Sequence, residues 1–239
     1  MNIMTKIKFI VWSAVLVVFF SACDKTENTA TPSQTTFLPK MVMLGESFYN
    51  IPCGETFSDP GIEVTESGVA IDHTVSVSSA YFDHTAVSDG ADTYTIAYNA
   101  TNRDGIPGSA FRTVRVLPCN TGGDDISGMY SMHVVRSSNG EEYDGLVDAF
   151  VVKTGANTYA VSDCIGGFYD LGRGYGSDYA CKGAVLTVNS NTDITGTDGT
   201  VPGFGFSTSL SGISIDADGN ISWTASASFT DWAVTLSPQ

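Results

Sequence analysis

Beyond its first 34 residues the chain is a succession of short alternating runs separated by Gly, Asp, Asn and Ser. The run at residues 93–98 places Tyr94, Ile96 and Tyr98 on one face of a strand, because successive strand side chains point to opposite faces. No stretch of this part has the apolar spacing of an amphipathic helix. The pattern therefore predicts an all-β protein.

A second alternating run at residues 111–116 follows the first after the turn-forming sequence Asn102-Arg103-Asp104-Gly105. The two runs predict a hairpin with one apolar face. A domain of about 80 residues covers such a face with a second sheet, as in an immunoglobulin-like (Ig-like) sandwich. We expect Tyr94 to form a tyrosine corner, in which the phenol bonds to the backbone a few residues upstream.

Three motifs of this first domain carry a family resemblance. Residues 54–62 read Gly-Glu-Thr-Phe-Ser-Asp-Pro-Gly-Ile, residues 92–98 read Asp-Thr-Tyr-Thr-Ile-Ala-Tyr, and residues 112–116 read Arg-Thr-Val-Arg-Val. In this order they resemble the bacterial Ig-like modules that are repeated in many surface proteins. The resemblance covers residues 38–119 and implies an Ig-like β-sandwich that serves as a spacer or an adhesive unit.

A second domain is predicted over residues 124–239, after the turn-rich segment 118–125 that we take as the boundary. Its strand-like runs are separated by Gly, Asp, Asn or Ser in every gap, which favours an antiparallel barrel or sandwich. The predicted strands are 131–136, 146–153, 158–162, 184–189, 209–216 and 221–228.

Short motifs in the second domain also resemble a known group. They include Ser-Gly-Met-Tyr at residues 127–130, the glycine-rich stretches at 159–169 and 174–176, and Gly-Asn-Ile-Ser-Trp at 219–223. They are similar to the C-terminal β-domains of Bacteroidota lipoproteins encoded near glycan-uptake (Sus-like) systems. The resemblance implies a role beside a polysaccharide importer.

Residues 1–22 have the form of a secretory signal peptide, in which Lys6 and Lys8 precede an apolar run at residues 9–20. That run is shorter than the roughly 20 apolar residues that span a bilayer. The sequence Phe20-Ser21-Ala22-Cys23 resembles the lipobox of bacterial lipoproteins. The resemblance implies cleavage before Cys23 and lipid on its thiol; the alternative is an ordinary signal peptide with a chance cysteine.

Residues 24–34 are polar and lack apolar periodicity, so we expect a lipidated flexible tether over residues 23–37. The early acidic residues Asp24 and Glu27 resemble the surface-export signals of Bacteroidota lipoproteins. The resemblance implies an outer-membrane lipoprotein at the cell surface, with the periplasmic face of the membrane as the alternative.

The mature chain is strongly acidic. Removal of Lys6 and Lys8 with the leader leaves 26 acidic and 9 basic residues, a formal charge of −17. Such a charge disfavours nucleic acid and anionic lipid as partners. The charge leaves neutral glycans, cations and other proteins open as partners. The alternative is that the charge only keeps the protein soluble.

Four cysteines follow Cys23, an even number that suits an oxidising compartment outside the cytoplasm. Three pairings are open, and we expect Cys53 with Cys119 and Cys164 with Cys181, because each pair then lies within one predicted domain. Free buried thiols are the alternative. The cysteines have no C-x-x-C spacing, so we expect no zinc site, and we predict no cofactor.

The segment 163–179 mixes aromatic, acidic, basic and glycine residues between two of these cysteines. Aromatic rings stack on the C–H faces of sugars, while Asp and Arg side chains bond to paired hydroxyl groups. The sequence therefore predicts a glycan-binding set here, to which we add a tryptophan near the chain end: Phe168, Tyr169, Asp170, Arg173, Tyr175, Asp178, Tyr179 and Trp232. A ligand contact requires Trp232 to be partly exposed, and the alternative for this residue is the core of a closing strand. The alternative is that these aromatic residues only pack the mouth of the domain.

Catalysis is not favoured, because H-E-x-x-H, G-x-S-x-G and phosphate-loop motifs do not occur. A glycoside hydrolase needs only two carboxylates at a fixed separation, and five are candidates: Glu141, Glu142, Asp163, Asp170 and Asp178.

We expect a non-enzymatic, lipid-anchored accessory protein of the cell envelope. Its predicted role is glycan binding in support of polysaccharide uptake, with polysaccharide or importer proteins as partners. The alternative is a structural or adhesive protein that binds another protein and has no sugar site.

Overall fold

The computed structural model describes residues 35–239, and residues 37–239 form one compact unit. The strands of these residues fall into three sheets of three, four and nine strands. The two smaller sheets hold the strands between residues 40 and 116, and the large sheet holds those between residues 128 and 238. The predicted all-β class is confirmed.

The predicted signal peptide at residues 1–22, the lipidated Cys23 and most of the predicted tether at residues 23–37 lie outside the described residues. Among the residues from 35 onward, no helix is both long enough and apolar enough to cross a membrane.

Seven strands build the N-terminal domain: β1 (Lys40–Met43), β2 (Phe48–Ile51), β3 (Ile62–Glu66), β4 (Val69–Ala70), β5 (His73–Ser79), β6 (Asp92–Thr101) and β7 (Pro107–Val116). Their orders are β1-β3-β4 in one sheet and β2-β7-β6-β5 in the other. Neighbouring strands are antiparallel except β2 and β7, which run parallel. Buried side chains of both sheets meet in one core, as a sandwich requires.

The predicted alternation on β6 is observed, since Tyr94, Ile96 and Tyr98 are all buried. The Tyr94 hydroxyl donates to the carbonyl of Gly90, four residues upstream, at 2.7 Å, which is the geometry of a tyrosine corner. His84 Nδ1 also lies 2.7 Å from the Tyr94 hydroxyl oxygen. Because the phenol hydrogen is directed at Gly90, His84 must donate through Nδ1–H.

Arg112 occupies a core position that the sequence did not reveal. It lies opposite Ile96 in the β6–β7 register, so its side chain faces inward and is fully buried. The guanidinium pairs with Asp59, donates to the Tyr98 hydroxyl at 2.6 Å and donates to the carbonyl of Glu46 at 3.0 Å. A buried charge is stable only with such partners. The ion pair joins two of the three motifs that carry the Ig-like resemblance.

Nine strands build the C-terminal domain: β8 (Gly128–Arg136), β9 (Glu142–Lys153), β10 (Thr158–Val161), β11 (Val185–Ser190), β12 (Asp193–Gly196), β13 (Gly199–Val201), β14 (Phe206–Ile215), β15 (Ile221–Ala227) and β16 (Thr230–Pro238). They form one antiparallel sheet in the order β12-β11-β10-β9-β8-β16-β15-β14-β13. The sheet curls so that β12 approaches β14. Gly196 on β12 lies against Leu210 and Ile213 of β14, and a Cβ on Gly196 would lie 2.8 Å from the Ile213 side chain. The predicted barrel or sandwich is thus a curled half-barrel.

Three strands of this sheet were not predicted: β12, β13 and β16. On β16, Trp232, Val234 and Leu236 alternate inward and are buried. Of the two positions that the sequence left open for Trp232, partial exposure and the core of a closing strand, the structure shows the core, because strand parity turns its ring inward. Trp223 on β15 is also buried, and its Nε1 donates to the carbonyl of Cys164 at 2.7 Å.

The segment between β7 and β8 is ordered around Asp125. The Asp125 carboxylate accepts from the backbone N–H and hydroxyl of Thr121, at 3.0 and 2.6 Å, and from the backbone N–H of Ser127, at 2.9 Å. Burial raises the pKa of Asp125, but these hydrogen bonds outweigh burial and hold the pKa below its usual range. This loop is therefore a folded connection rather than a loose one.

A buried apolar cluster joins the two sets of strands. Tyr81 and Ala91 come from the N-terminal domain, and Phe150 and Ala180 come from the C-terminal domain. The rings of Tyr81 and Phe150 are 5.8 Å apart. Buried aromatic contacts of this kind resist relative motion of the two domains.

An ion pair between Arg115 on β7 and Asp148 on β9 forms a second contact between the domains. Asp148 has a φ of 82°, in the left-handed region that a non-glycine residue seldom adopts. Arg115 also lies over the ring of Phe48, 5.3 Å from its centre.

Both expected disulfides are present in the structure. Cys53 is bonded to Cys119, with Cα atoms 5.0 Å apart, and Cys164 is bonded to Cys181, with Cα atoms 5.1 Å apart. The first joins the loop after β2 to the segment that follows β7. The second closes the loop that the sequence predicts as a glycan site, and Thr208 Oγ1 lies 3.1 Å from both of its sulfurs.

Candidate functional site: an aromatic surface of the C-terminal domain

The disulfide-closed loop turns inward at two glycines. Gly166 and Gly167 have φ values of 65° and 72°, which suit glycine. A Cβ on Gly166 would lie 2.9 Å from the side chain of Val234, so packing also excludes a larger residue. The chain then forms a single π-helical turn, Phe168–Gly172, whose first two rings enter the core.

Half of the eight predicted glycan-binding side chains are buried: Phe168, Tyr169, Asp170 and Trp232. The rings of Phe168 and Tyr169 pack edge to face, 5.0 Å apart, and lie 6.2 and 6.1 Å from Trp232. The prediction that these four residues contact a ligand directly is contradicted, because a sugar cannot reach a buried ring face. They form the floor of the site instead.

The other four predicted side chains reach the surface of the same loop. Tyr175 and Asp178 are exposed, and Arg173 and Tyr179 are half-buried. The ring of Tyr175 stacks with the buried ring of Tyr169 at 6.3 Å and meets Tyr179 at 5.4 Å. The loop therefore presents an aromatic edge above an aromatic floor.

Three further phenylalanines extend this edge into a continuous surface. We call the five residues Tyr175, Tyr179, Phe204, Phe206 and Phe229 the aromatic strip. The ring of Phe204 lies 6.3 Å from Tyr175, 4.8 Å from Tyr179 and 6.1 Å from Phe206, whose ring is 5.0 Å from Phe229. Tyr175, Phe204 and Phe229 are 49%, 49% and 50% exposed.

A close approach of two loops holds the middle of the strip. Gly203 donates through its backbone N–H to the carbonyl of Asp178 at 2.7 Å. A Cβ on Gly203 would lie 2.6 Å from the ring of Tyr179, so a glycine is required for this contact. Gly205, with a φ of 69°, then turns the chain so that Phe206 begins β14.

The buried floor supports the strip from below. Tyr169 packs edge to face against Phe204 at 4.9 Å, and Trp232 stacks on Phe206 at 5.9 Å with the ring planes 4° apart. Side chains held by such packing lose little further freedom when a ligand binds. The strip is thus preorganised.

Sequence reasoning missed Phe204, Phe206 and Phe229. The available signal was the sequence Pro202-Gly203-Phe204-Gly205-Phe206, in which aromatic residues occupy turn positions that polar residues usually fill. The proximity of this turn to the loop at residues 164–181 depends on pairing of distant strands and cannot be deduced from local pattern.

One edge of the strip carries a polar pair. Arg173 Nε donates to Glu141 Oε1 at 3.1 Å, and the guanidinium lies 5.3 Å from the centre of the Tyr169 ring. The hydrogen bonds from Arg173 and then from Tyr143 lower the pKa of Glu141 to about 2. Glu141 is therefore ionised at neutral pH, and the pair offers both hydrogen-bond donors and acceptors beside the aromatic rings.

The five candidate hydrolase carboxylates do not gather into an exposed acid pair. Burial raises the pKa of Asp163 to about 7 and also raises the pKa of Asp170, but both side chains are buried. Glu141 is paired with Arg173, and Glu142 lies 2.8 Å from His133 Nε2. A catalytic acid needs a raised pKa at the surface. Of these five residues, the two whose pKa values are clearly raised, Asp163 and Asp170, are both inaccessible to a substrate.

The N-terminal domain is similar to a known family. Residues 41–116 match the family model described as "Bacterial surface protein, Ig-like domain". The N-terminal domain is Ig-like. Residues 120–238 match a second model, described as a C-terminal domain. Neither description names an enzymatic activity.

A solved structure shares the fold across both domains. The crystal structure of the lipoprotein BT2262 from Bacteroides thetaiotaomicron is 24% identical in sequence, with a TM-score of 0.60. The match covers 84% of this chain and 100% of that chain. No match to a curated protein was found.

Proposed function

We propose that this chain is a lipid-anchored protein of the bacterial cell envelope whose C-terminal domain binds glycan through the aromatic strip. The strip itself carries the proposal. It presents exposed rings from three separate loops over a packed floor, and a soluble protein seldom exposes such a patch without a binding role. Aromatic rings held in this way stack on the apolar C–H faces of sugars.

Polar groups at the edge of the strip suit hydroxyl recognition. Arg173 and Glu141 are fixed by their mutual hydrogen bonds, and Asp178 is exposed beside Tyr179. The chain is acidic, and Arg173, the cation at the edge of the strip, is already paired with Glu141, which favours neutral glycans over sulfated or uronic-acid chains. The proposed ligand is therefore a neutral polysaccharide.

Three observations support anchoring at the envelope. The Phe20-Ser21-Ala22-Cys23 sequence resembles a lipobox, the N-terminal domain matches bacterial surface Ig-like domains, and the protein with the same fold is named a lipoprotein. We place the chain in the outer membrane at the cell surface, where importer proteins are the expected neighbours. The Ig-like domain then serves as a spacer that holds the C-terminal domain away from the membrane.

Affinity electrophoresis of the purified protein in gels that contain neutral or acidic polysaccharides tests the proposal. We expect retardation by at least one neutral polysaccharide, and loss of that retardation in Phe204→Ala and Tyr175→Ala. Phe111→Ala is the matched control, because Phe111 is 59% exposed but lies on the Ig-like domain.

Two outcomes would overturn glycan binding by the strip: no retardation by any polysaccharide, or retardation that both strip variants retain. A protein partner captured on whole cells and lost in Phe204→Ala would assign the strip to protein adhesion instead. Circular dichroism of each variant shows whether a loss reflects unfolding.

A further inference from the structure

One end of the Ig-like domain exposes four large apolar side chains. Phe37, Leu38, Val69 and Ile106 are 41%, 64%, 69% and 38% exposed. We call these four residues the apolar end. The aromatic strip is in the other domain, so this is a separate surface.

Hydrogen bonds hold the segments of the apolar end together. Asn102, which is buried, donates through Nδ2 to the carbonyl of Phe37 at 2.7 Å and accepts at Oδ1 from the backbone N–H of Ile106 at 2.7 Å. Glu66, also buried, accepts from the backbone N–H of Arg103 at 3.0 Å and pairs with Val69 across the β3–β4 hairpin. The segments that carry the four side chains therefore lie together at this end of the domain.

The apolar end lies at the first residue of the compact unit. It is at the end of the Ig-like domain that is farther from the C-terminal domain. Phe37 is the first residue of the compact unit. Strand β7 begins beside the patch at Pro107 and runs ten residues to Val116, from which the chain continues to the C-terminal domain. At about 3.3 Å per residue, β7 separates the two ends by about 33 Å.

The length of the chain before Phe37 restricts how far this end can lie from a lipid anchor. Phe37 follows Cys23 by 14 residues. Even when fully extended, a chain of that length spans no more than about 50 Å. A protein surface tethered within that distance of the membrane has an effective concentration of about a millimolar. Even a weak contact between this surface and the membrane is then occupied.

We propose that the apolar end rests in the interfacial layer of the same bilayer that holds the lipidated Cys23. The inference rests on the proposed lipid anchor. The contact adds burial of apolar surface in the interfacial layer to the attachment that the acyl chains already provide. It is apolar rather than electrostatic, because Arg103 is paired with Glu66 and the chain is strongly acidic. It orients the Ig-like domain so that β7 carries the C-terminal domain away from the membrane.

Quenching by brominated phosphatidylcholine tests this contact in the acylated protein reconstituted into zwitterionic vesicles. The variants Leu38→Trp and Ile106→Trp report on the apolar end, and Phe204→Trp and Phe111→Trp are the controls. The tryptophans present in the described residues, Trp223 and Trp232, are buried and give a constant background. We expect loss of the added emission in Leu38→Trp and Ile106→Trp, and no loss in the two controls.

Mass spectrometry of the purified protein first establishes whether Cys23 carries lipid. Absence of lipid would overturn both the anchor and this contact. Lipid on Cys23 without quenching in Leu38→Trp and Ile106→Trp would overturn the contact and leave the anchor in place. Equal quenching at Phe204→Trp would also overturn it, since the protein would then lie flat. A dimer that dissociates on Leu38→Ser would assign the patch to a second copy and overturn the membrane contact.

Discussion

The Tyr81 hydroxyl donates a hydrogen bond to Asp170 Oδ2 at 2.9 Å, and so ties the Ig-like domain to the loop beneath the aromatic strip. Both residues are buried. Burial raises the pKa of Tyr81, so the phenol stays protonated and remains the donor. Burial also raises the pKa of Asp170, while the hydrogen bond from Tyr81 opposes that rise. The Ig-like domain and the proposed binding domain thus share a buried polar contact.

Tyr81→Phe removes this hydrogen bond and leaves the Asp170 carboxylate buried without its donor. We expect a loss of about 1–3 kcal/mol in the free energy of unfolding at neutral pH, measured by urea denaturation. The loss shrinks at acid pH, where Asp170 is protonated. Tyr159→Phe is the control, because Tyr159 is equally buried and its hydroxyl makes no hydrogen bond to another described residue. An equal loss in both variants would contradict a specific role for the contact.

Arg112→Met tests the ion pair that the buried Arg112 forms with Asp59. The substitution leaves Asp59, the Tyr98 hydroxyl and the Glu46 carbonyl without their common donor. We expect a loss of about 1–3 kcal/mol, because the buried Tyr98 hydroxyl loses its donor, whereas Asp59 is partly exposed and still accepts from Tyr98. Arg103→Gln is the comparison. The Arg103 side chain is 62% exposed, and its removal is expected to change stability by less than about 1 kcal/mol. Similar losses for the two arginines would rule out this role.

Asp163 makes stability depend on pH in an unusual direction. Its pKa is raised by burial to about 7, and within residues 35–239 Asp163 Oδ2 has no hydrogen-bond partner. Because the folded state holds this proton more tightly than the unfolded state, the stability from this group is present below about pH 4 and is lost as pH rises to about 7. At about 1.4 kcal/mol per pKa unit, the full change is about 4 kcal/mol.

Asp163→Asn removes this titration while it keeps the shape of the side chain. We expect the variant to match the original protein at pH 4 and to exceed it in unfolding free energy at pH 8. Urea denaturation at both pH values measures the difference in unfolding free energy. Glu141, whose pKa is lowered, changes stability with pH in the opposite direction. Because both proteins contain Glu141, its contribution cancels when they are compared at the same pH. A variant that is less stable at pH 8 would show that the ionised carboxylate is favourable.

The two disulfides are expected to stabilise by different amounts. They span 17 residues for Cys164–Cys181 and 66 residues for Cys53–Cys119. Loop entropy predicts losses of about 3 and about 4 kcal/mol, respectively, when each pair is replaced by serine. Thermal unfolding of the two double variants measures this order. Only the Cys164→Ser, Cys181→Ser variant is expected to weaken glycan binding, since its loop carries Tyr175 and Tyr179.

Local pattern was sufficient for much of the β-structure. Alternation identified the buried face of β6, and the positions of the cysteines in two predicted domains gave the disulfide pairs that are observed. Arg112 was not recognised as buried, because a charged residue is normally placed at the surface and its partner Asp59 is 53 residues away. For Trp232 the local pattern left partial exposure and the core of a closing strand open, and the structure shows the core.

The aromatic strip could be predicted only in part. Tyr175 and Tyr179 were identified because they share one loop with charged residues. Phe204 and Phe229 reach them through the pairing of β13 with β14 and of β15 with β16. The contact of Tyr81 with Phe150 likewise depends on the packing of the two domains against each other. The local periodicity of apolar residues does not predict such packing.

The most direct test of glycan binding by the strip is an NMR titration of protein labelled at its Phe and Tyr rings with the neutral polysaccharide that retards it most strongly. We predict that the resonances of Tyr175, Phe204 and Phe229 shift together and saturate, while that of Phe111 stays unchanged. Shifts confined to the Ig-like domain, or no shift at any ring of the strip, would contradict the account.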